Sequence, residues 1–408
     1  MSQAETVIKR IHALGQISDE PGHLTRTFCS PAMRRASELV AGWMVEAGMS
    51  VREDAIGNLI GRYPAENPRA KTFLLGSHLD TVRHAGKFDG PLGVLTAIAC
   101  IGQLHKRGLR LPFAIEVIAF SDEEGVRYQC AYLGSKVMAG KFHSRDLMRV
   151  DADGISMAEA ISAYGGNPAR LNFSRANPKE LLGYVEVHIE QGPVLEKKNL
   201  AVGIVTGIAG QTRCRICFVG RAGHAGTTPM RLRKDALCAA AEFITGVESL
   251  AKKSRGLVAT VGQIDASPGA SNVIAENVGL SLDIRHQDDA KRHAAGRSLK
   301  GMARRIARKR GVVADWEVVQ DTGAVPCSPA LSKLLARAAR NYQSKVLSLP
   351  SGAGHDAAVL ASITPVAMLF VRCRGGVSHH PDESVKSADV RVALSVLNDF
   401  LQLLAQCV

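Results

Sequence analysis

Gly76-Ser77-His78-Leu79-Asp80-Thr81-Val82-Arg83-His84-Ala85-Gly86-Lys87-Phe88-Asp89-Gly90-Pro91-Leu92-Gly93 follows directly on the apolar run Thr72-Phe73-Leu74-Leu75. A short apolar run that stops at a glycine reads as a buried strand. His78 and Asp80 stand two residues apart, so on an extended chain they point to one face. A carboxylate beside a histidine fixes the ring's tautomer and raises its basicity toward a metal. Asp89 comes nine residues after Asp80, just before an apolar helix expected at 92–104.

The flanking chain sets the fold class. Residues 3–15 and 31–48 carry helical apolar spacing, and a strand pair is expected at 51–54 and 58–63, turning at 55–57. A second buried strand is expected at 113–120. Strands alternating with helices of this length predict an α/β domain with a mostly parallel central sheet flanked by helices. Such sheets place chemistry at the carboxyl ends of their strands. His78 falls at one such end and Ser121-Asp122-Glu123-Glu124-Gly125 at another. Adjacent ionised carboxylates repel, unless a cation lies between them or one stays protonated. A metal-binding glutamate beside a general-base glutamate accounts for the pair.

Residues 184–190 alternate as a strand with Glu186, His188 and Glu190 on one face, which suggests an edge toward a site. Residues 150–180 read as loop-rich. From about 207 the character changes: glycines lead into an amphipathic strand at 212–219, then Gly223-His224-Ala225-Gly226 and a helix at 233–250. Strands at 257–265 and 276–286, a basic helix at 288–311 and a closing strand near 313–319 complete the order of a small α+β module. The expected domains are therefore 1–208 with 324–408, and an inserted 209–323. His224, Asn272 and Arg285 stand out in the module. After it, Ser351-Gly-Ala-Gly-His355-Asp356 enters a helix whose N-terminus suits an anion. A buried strand at 365–371 then runs into Ser378-His379-His380-Pro381-Asp382-Glu383, before a last helix at 385–404.

Composition narrows the function classes. Of 408 residues, 46% are hydrophobic, and 51 Lys+Arg against 38 Asp+Glu leave a net charge of +13. With only 5% aromatics there is little for bases to stack on, so no nucleic-acid partner is expected. The basic run at 301–310 reads as a solvated helix face, and the positive field as one that attracts a small anion. Cys214 and Cys217 have the C-x-x-C spacing but lie on a strand with no partner pair, which sets a zinc knuckle aside. Nine dispersed cysteines suit a reduced chain. The first ten residues lack the apolar core of a signal peptide, and no run approaches the ~20 apolar residues of a membrane span. A cytoplasmic protein with no membrane partner is the expectation.

The strand-end set is His78, Asp89, Glu123, Glu124, His188 and one of His379 or His380. Three histidines and two carboxylates suit a pair of borderline divalent ions such as zinc, manganese or cobalt. One bridging carboxylate leaves room for a shared water, and the spare glutamate can carry its proton to a leaving nitrogen.

In these motifs, and over nearly its whole length, the chain resembles the dinuclear metal amidohydrolases. That family includes allantoate amidohydrolase, N-carbamoyl-L-amino-acid hydrolase and β-ureidopropionase, a branch of the metallopeptidases related to aminoacylases. The resemblance implies that His78 and His188 with Asp89 hold one of two ions. It implies that Asp89 bridges to a second, held by Glu124 and, by the Ser-His-x-Pro-x-Glu register of Ser378 to Glu383, His379. It makes Glu123 the general acid/base and Asp80 the carboxylate that orients His78. In the inserted lid and dimerisation domain, His224 would stabilise the oxyanion across a homodimer. Asn272 and Arg285 would grip the carboxylate of a small anionic ureido or carbamoyl substrate, with Gln211 and Gly354 as further contacts. The peptidase cousins typically carry Asp-Asp or Asp-Glu-Lys-like runs where this chain has Asp89-Gly90-Pro91. That difference, with His188-Ile-Glu-Gln-Gly192, points to the ureido branch: allantoate first, then N-carbamoyl-L-amino acids or N-carbamoyl-β-alanine. A dipeptidase or aminoacylase is the further alternative.

Overall fold

Thr72–His78 is a strand buried at every residue, as expected of a segment with neighbours on both sides and helices above and below. The computed structural model describes residues 2–408 and divides into two units: Met1–Thr206 with Cys327–Val408, and Gly207–Pro326. The divisions fall at 206/207 and 326/327, beside the 208/209 and 323/324 expected from composition.

In the first unit the sheet runs Ser50–Glu53, Leu59–Tyr63, Ala114–Phe120, Thr72–His78, Leu181–Ile189, Val366–Val371, Val202–Ile208. Its four central strands, Ala114–Phe120 through Val366–Val371, are parallel. Both flanks are antiparallel, where Leu59–Tyr63 and Val202–Ile208 join the sheet. Parallel neighbours need crossover helices, and Pro91–Lys106 is one. It starts on Pro91, whose missing N–H is no loss in a first turn. It packs in one apolar cluster with Gln3–Leu14, Pro31–Glu46, Pro329–Ala339 and Ser387–Ala405.

Two expectations change here. Leu181–Ile189 lies inside the sheet with a parallel strand on either side, so it is no edge. Within 150–180, Met157–Tyr164 is a helix, and Ser156 and Glu159 form its capping box. The Ser-x-x-Glu spacing is the sequence signal for that helix.

The second unit is a four-stranded antiparallel sheet in the order Val313–Thr322, Gly210–Val219, Asn277–His286, Val258–Ser267. Ala236–Lys253 and Asp289–Arg310 pack with it around Phe218, Phe243, Val278, Leu280, Leu282, Ile284 and Leu299. The exposed arginines of the basic helix point outward, since Ala295, Leu299, Ala303 and Ile306 take its buried face. Among the described residues no helix is long and apolar enough to cross a membrane.

Candidate metal and catalytic site

His78 ends the Thr72–His78 strand, and the chain turns immediately after it. The ring Nδ1 lies 3.0 Å from the Asp80 backbone carbonyl and 3.4 Å from the Asp80 Oδ1. The contact therefore comes from a turn beyond the strand rather than from a shared strand face, where neighbours two apart are separated by about 6.6 Å. A carbonyl only accepts, so Nδ1 carries a proton and Nε2 is turned to Asp89 Oδ1 at 3.6 Å. Gly90, at φ +83°, makes this possible: a Cβ there would sit 2.6 Å from the His78 ring.

His188 repeats the arrangement from the neighbouring strand. Its Nδ1 donates to the Ile189 carbonyl at 2.9 Å, and its buried Nε2, 3.0 Å from Asp89 Oδ1, has no hydrogen-bond partner. Two ring lone pairs facing one carboxylate oxygen are repulsive unless a cation or extra protons intervene. Nitrogen and oxygen donors of this kind, with no thiolate among them, fit a borderline divalent ion.

The other carboxylate oxygen serves a second group. Asp89 Oδ2 lies 3.1 Å from His379 Nε2, which is also 3.3 Å from Glu124 Oε1. His380 faces away and accepts from the Asp382 amide at 3.2 Å. His78, Asp89 and His188 thus form one possible ion site and Asp89, Glu124 and His379 another, sharing a single carboxylate.

The electrostatics follow from that crowding. Burial alone would lower the His78 and His188 pKa values, yet the carboxylates Asp80 and Asp89 beside His78, and Asp89 beside His188, outweigh it and raise both. Burial would raise the Asp89 carboxyl, but His188, His379 and His78 hold it well below the usual range. Hydrogen bonds to Asp89 and Glu124 push His379 up to about 10. Glu123 moves the other way from an ordinary carboxylate: burial pushes it well up, against the pull of His78 and with the help of Glu124.

The structure adds contacts at the site that the sequence did not show. Asp80, expected to orient His78, also accepts the backbone N–H groups of Glu123 at 2.9 Å and Glu124 at 3.0 Å. Gln191 and Ser378 each donate to Asp89 Oδ2 at 2.7 Å. Glu383 accepts from the backbone of Phe88 at 2.6 Å and Asp89 at 3.1 Å, and burial, with the charge of Asp89, pushes its pKa up to about 7. Only the Gln of His188-Ile-Glu-Gln-Gly192 and the ends of the Ser378 to Glu383 register pointed to them.

Glu186 and Glu190 do not join His188 at Asp89. Glu190 accepts from Val194 and Leu195 N–H, capping the short Val194–Lys197 helix. Glu186 accepts from Ser77 Oγ at 2.9 Å and from the Ala357 N–H at 3.1 Å. The N-terminus of the Asp356–Leu360 helix, expected to suit an anion, is thereby filled by the chain's own carboxylate. Gly354 lies just before that helix, and a Cβ on it would collide with the Tyr132 hydroxyl.

In the second unit, Asn272 and His224 meet where the short strands Gly223–His224 and Val273–Ile274 pair antiparallel, and the Ala225 N–H donates to the Asn272 carbonyl at 2.9 Å. The His224 ring is exposed and accepts from the Gly226 N–H. Arg285 stands directly opposite Gln211 across two paired strands. The thiols of Cys214 and Cys217 are divided between the buried and the open side of their strand.

The model of peptidase family M20/M25/M40 matches residues 74–403, a span that contains every member of the Asp89 cluster. The chain belongs to this M20/M25/M40 family. Within it, the chain is 42% identical to the N-carbamoyl-L-amino acid amidohydrolase of Geobacillus stearothermophilus, with 100% of both covered. It is also 42% identical to the allantoate deiminase of Arabidopsis thaliana, covering 98% of this chain and 82% of that protein. Among solved structures, a hydantoinase/carbamoylase family amidase from Burkholderia multivorans superposes with a TM-score of 0.93 at 31% identity, covering 99% and 98% of the two chains. M20 membership makes a metal-binding reading of the shared Asp89 carboxylate coherent with the fold that carries it.

Proposed function

We propose that this protein hydrolyses a C–N bond of a small ureido or carbamoyl acid, releasing ammonia and carbon dioxide, with allantoate as first choice. N-carbamoyl-L-amino acids and N-carbamoyl-β-alanine are the alternatives. The observation that carries the reading is Asp89, one oxygen turned to His78 and His188 and the other to His379 beside Glu124. Full-length identity of 42% to an N-carbamoyl-L-amino acid amidohydrolase supports the substrate class.

In this reading His78, His188 and Asp89 hold one divalent ion, and Asp89, Glu124 and His379 the other. Zinc, manganese and cobalt all suit the donor set. Bound there, such ions acidify water and stabilise a developing oxyanion. Glu123 takes the proton from the attacking water and delivers it to the leaving nitrogen, a role helped by a carboxyl whose pKa burial has already raised. Asp80 anchors the Glu123 and Glu124 backbone and, through its carbonyl, the His78 tautomer. Asn272, Arg285, Gln211 and Gly354 serve the substrate, and His224 the oxyanion. Gly207–Pro326 would act as lid and dimerisation domain of a homodimer. Nine unpaired thiols suit the reducing cytoplasm.

The test is ammonia release by metal-reconstituted protein from allantoate, N-carbamoyl-L-amino acids and N-carbamoyl-β-alanine, with release of free amino acid followed for N-acetyl amino acids and dipeptides alongside. Turnover of a ureido acid is expected, falling about 10²–10⁴-fold in Glu123→Gln with both metals retained. Turnover confined to the N-acetyl or peptide substrates would move the assignment to an aminoacylase or dipeptidase.

A further inference from the structure

On Asn277–His286 the residues Val278, Leu280, Leu282 and Ile284 are buried against the helices of the second unit, so Asp283 and Arg285 share the opposite, open face. The register sets Arg285 against Gln211 and Asp283 against Arg213 on the neighbouring strand. One carboxylate gathers all three partners. Asp283 Oδ1 accepts from Arg285 Nε at 2.9 Å, and Oδ2 accepts from Arg285 Nη2 at 3.1 Å and from the Gln211 amide at 2.6 Å. Arg213 Nε reaches the same oxygen at 3.3 Å. Two guanidinium groups and one amide thus converge on a single carboxylate.

We infer that Asp283 is a positioning residue for substrate recognition, holding the Arg285 guanidinium and the Gln211 amide in the orientation that receives the substrate's carboxylate. The inference rests on the functional reading above, in which Arg285 and Gln211 meet the substrate. An arginine side chain carries many rotamers, and ordering it only when ligand arrives weakens binding. Asp283 grips the guanidinium by the edge that carries Nε, in the bidentate geometry a planar fork favours, so the ordering is done in advance. Burial would raise the Asp283 carboxyl, but Arg285, Gln211 and Arg213 together lower it, so it stays charged at neutral pH.

Arg215 is the internal control. It lies on the same open face but pairs with Glu317 at 2.8 Å, with both side chains exposed.

The experiment compares ammonia release from the preferred ureido acid and from its methyl ester, using wild type, Asp283→Ala, Asp283→Asn and Arg215→Ala. The acid's KM is expected to rise about tenfold in both Asp283 variants, more than kcat falls, the size of one charge-assisted hydrogen bond. The acid-over-ester ratio of kcat/KM falls with it, and Arg215→Ala behaves as wild type. An active wild type whose ratio is kept in both Asp283 variants, even with a lower Tm, makes Asp283 a salt bridge of the fold and overturns this inference alone. A wild type inactive on every ureido acid overturns the functional reading, and this inference with it. Should Asp283→Ala not fold, Asp283→Asn, which preserves shape and one acceptor, carries the same expectation.

Discussion

Asp89 and Asp283 are each a single carboxylate surrounded by nitrogen, yet they pose opposite problems. Around Asp283 the facing groups are guanidinium and amide N–H donors, half-exposed, and the carboxylate is already satisfied. Around Asp89 two rings are pinned by backbone carbonyls so that their Nε2 atoms face Oδ1 in a buried setting. One cluster is complete as it stands and can only orient a ligand. The other is incomplete without positive charge, and that deficit marks it as a place for ions.

The largest expected effect tests that contrast. Asp89→Ala removes the carboxylate shared by both candidate ion sites, so metal content should fall from two ions toward none and activity by more than about 10³-fold. Asp283→Ala should leave metal content unchanged. Elemental analysis of both variants decides it, and two ions retained in Asp89→Ala would end the shared-ligand reading.

A smaller effect separates holding the metals from holding the loop. Asp80→Ala strips the acceptor from the Glu123 and Glu124 amides while the His78 contact to the backbone carbonyl remains. A fall of about 10–100-fold in kcat is expected, with the acid's KM little changed, the reverse of the split in Asp283→Ala. Equal changes in both parameters would show that Asp80 does not act through Glu123.

The smallest effect is read in the metal-free protein. The hydrogen bonds of Asp89 and Glu124 raise His379 to about 10, above the ~6.5 of an unfolded chain. A raised histidine pKa contributes stability that is whole below pH ~6.5 and is lost as pH climbs through about 10. The Tm of the apoprotein should fall across that window, and fall less in His379→Ala. Identical profiles for the two proteins would remove His379 from the cluster.

How much of this was legible in sequence depended on the range of the interaction. The buried strand at 72–78 and the helix after Pro91 follow from local apolar patterning, and Glu123 and His188 from strand ends. The reading of Glu186 and Glu190 as facing the site failed for two reasons. Glu186 and Glu190 share alternation with His188, but Glu190 caps a helix within five residues and Glu186 satisfies Ser77 and Ala357, partners distant in sequence. The role of Asp80 toward the Glu123 and Glu124 amides was invisible because backbone donors carry no signature in side-chain identity. Asp283 escaped because an acidic residue two positions before an arginine is common, and only the register of two strands adds Gln211 to the pair.

The sequence by itself determined the α/β character and the residue types that can bind metal and move a proton. Periodicity, turn residues and side-chain chemistry are properties of the chain that survive without coordinates. Only the tertiary structure decided which oxygen of Asp89 each histidine meets and which nitrogen of each ring is turned toward it. Those depend on contacts across as many as 290 positions between Asp89 and His379. Their strength varies over tenths of an ångström, a scale that packing sets and spacing along the chain does not.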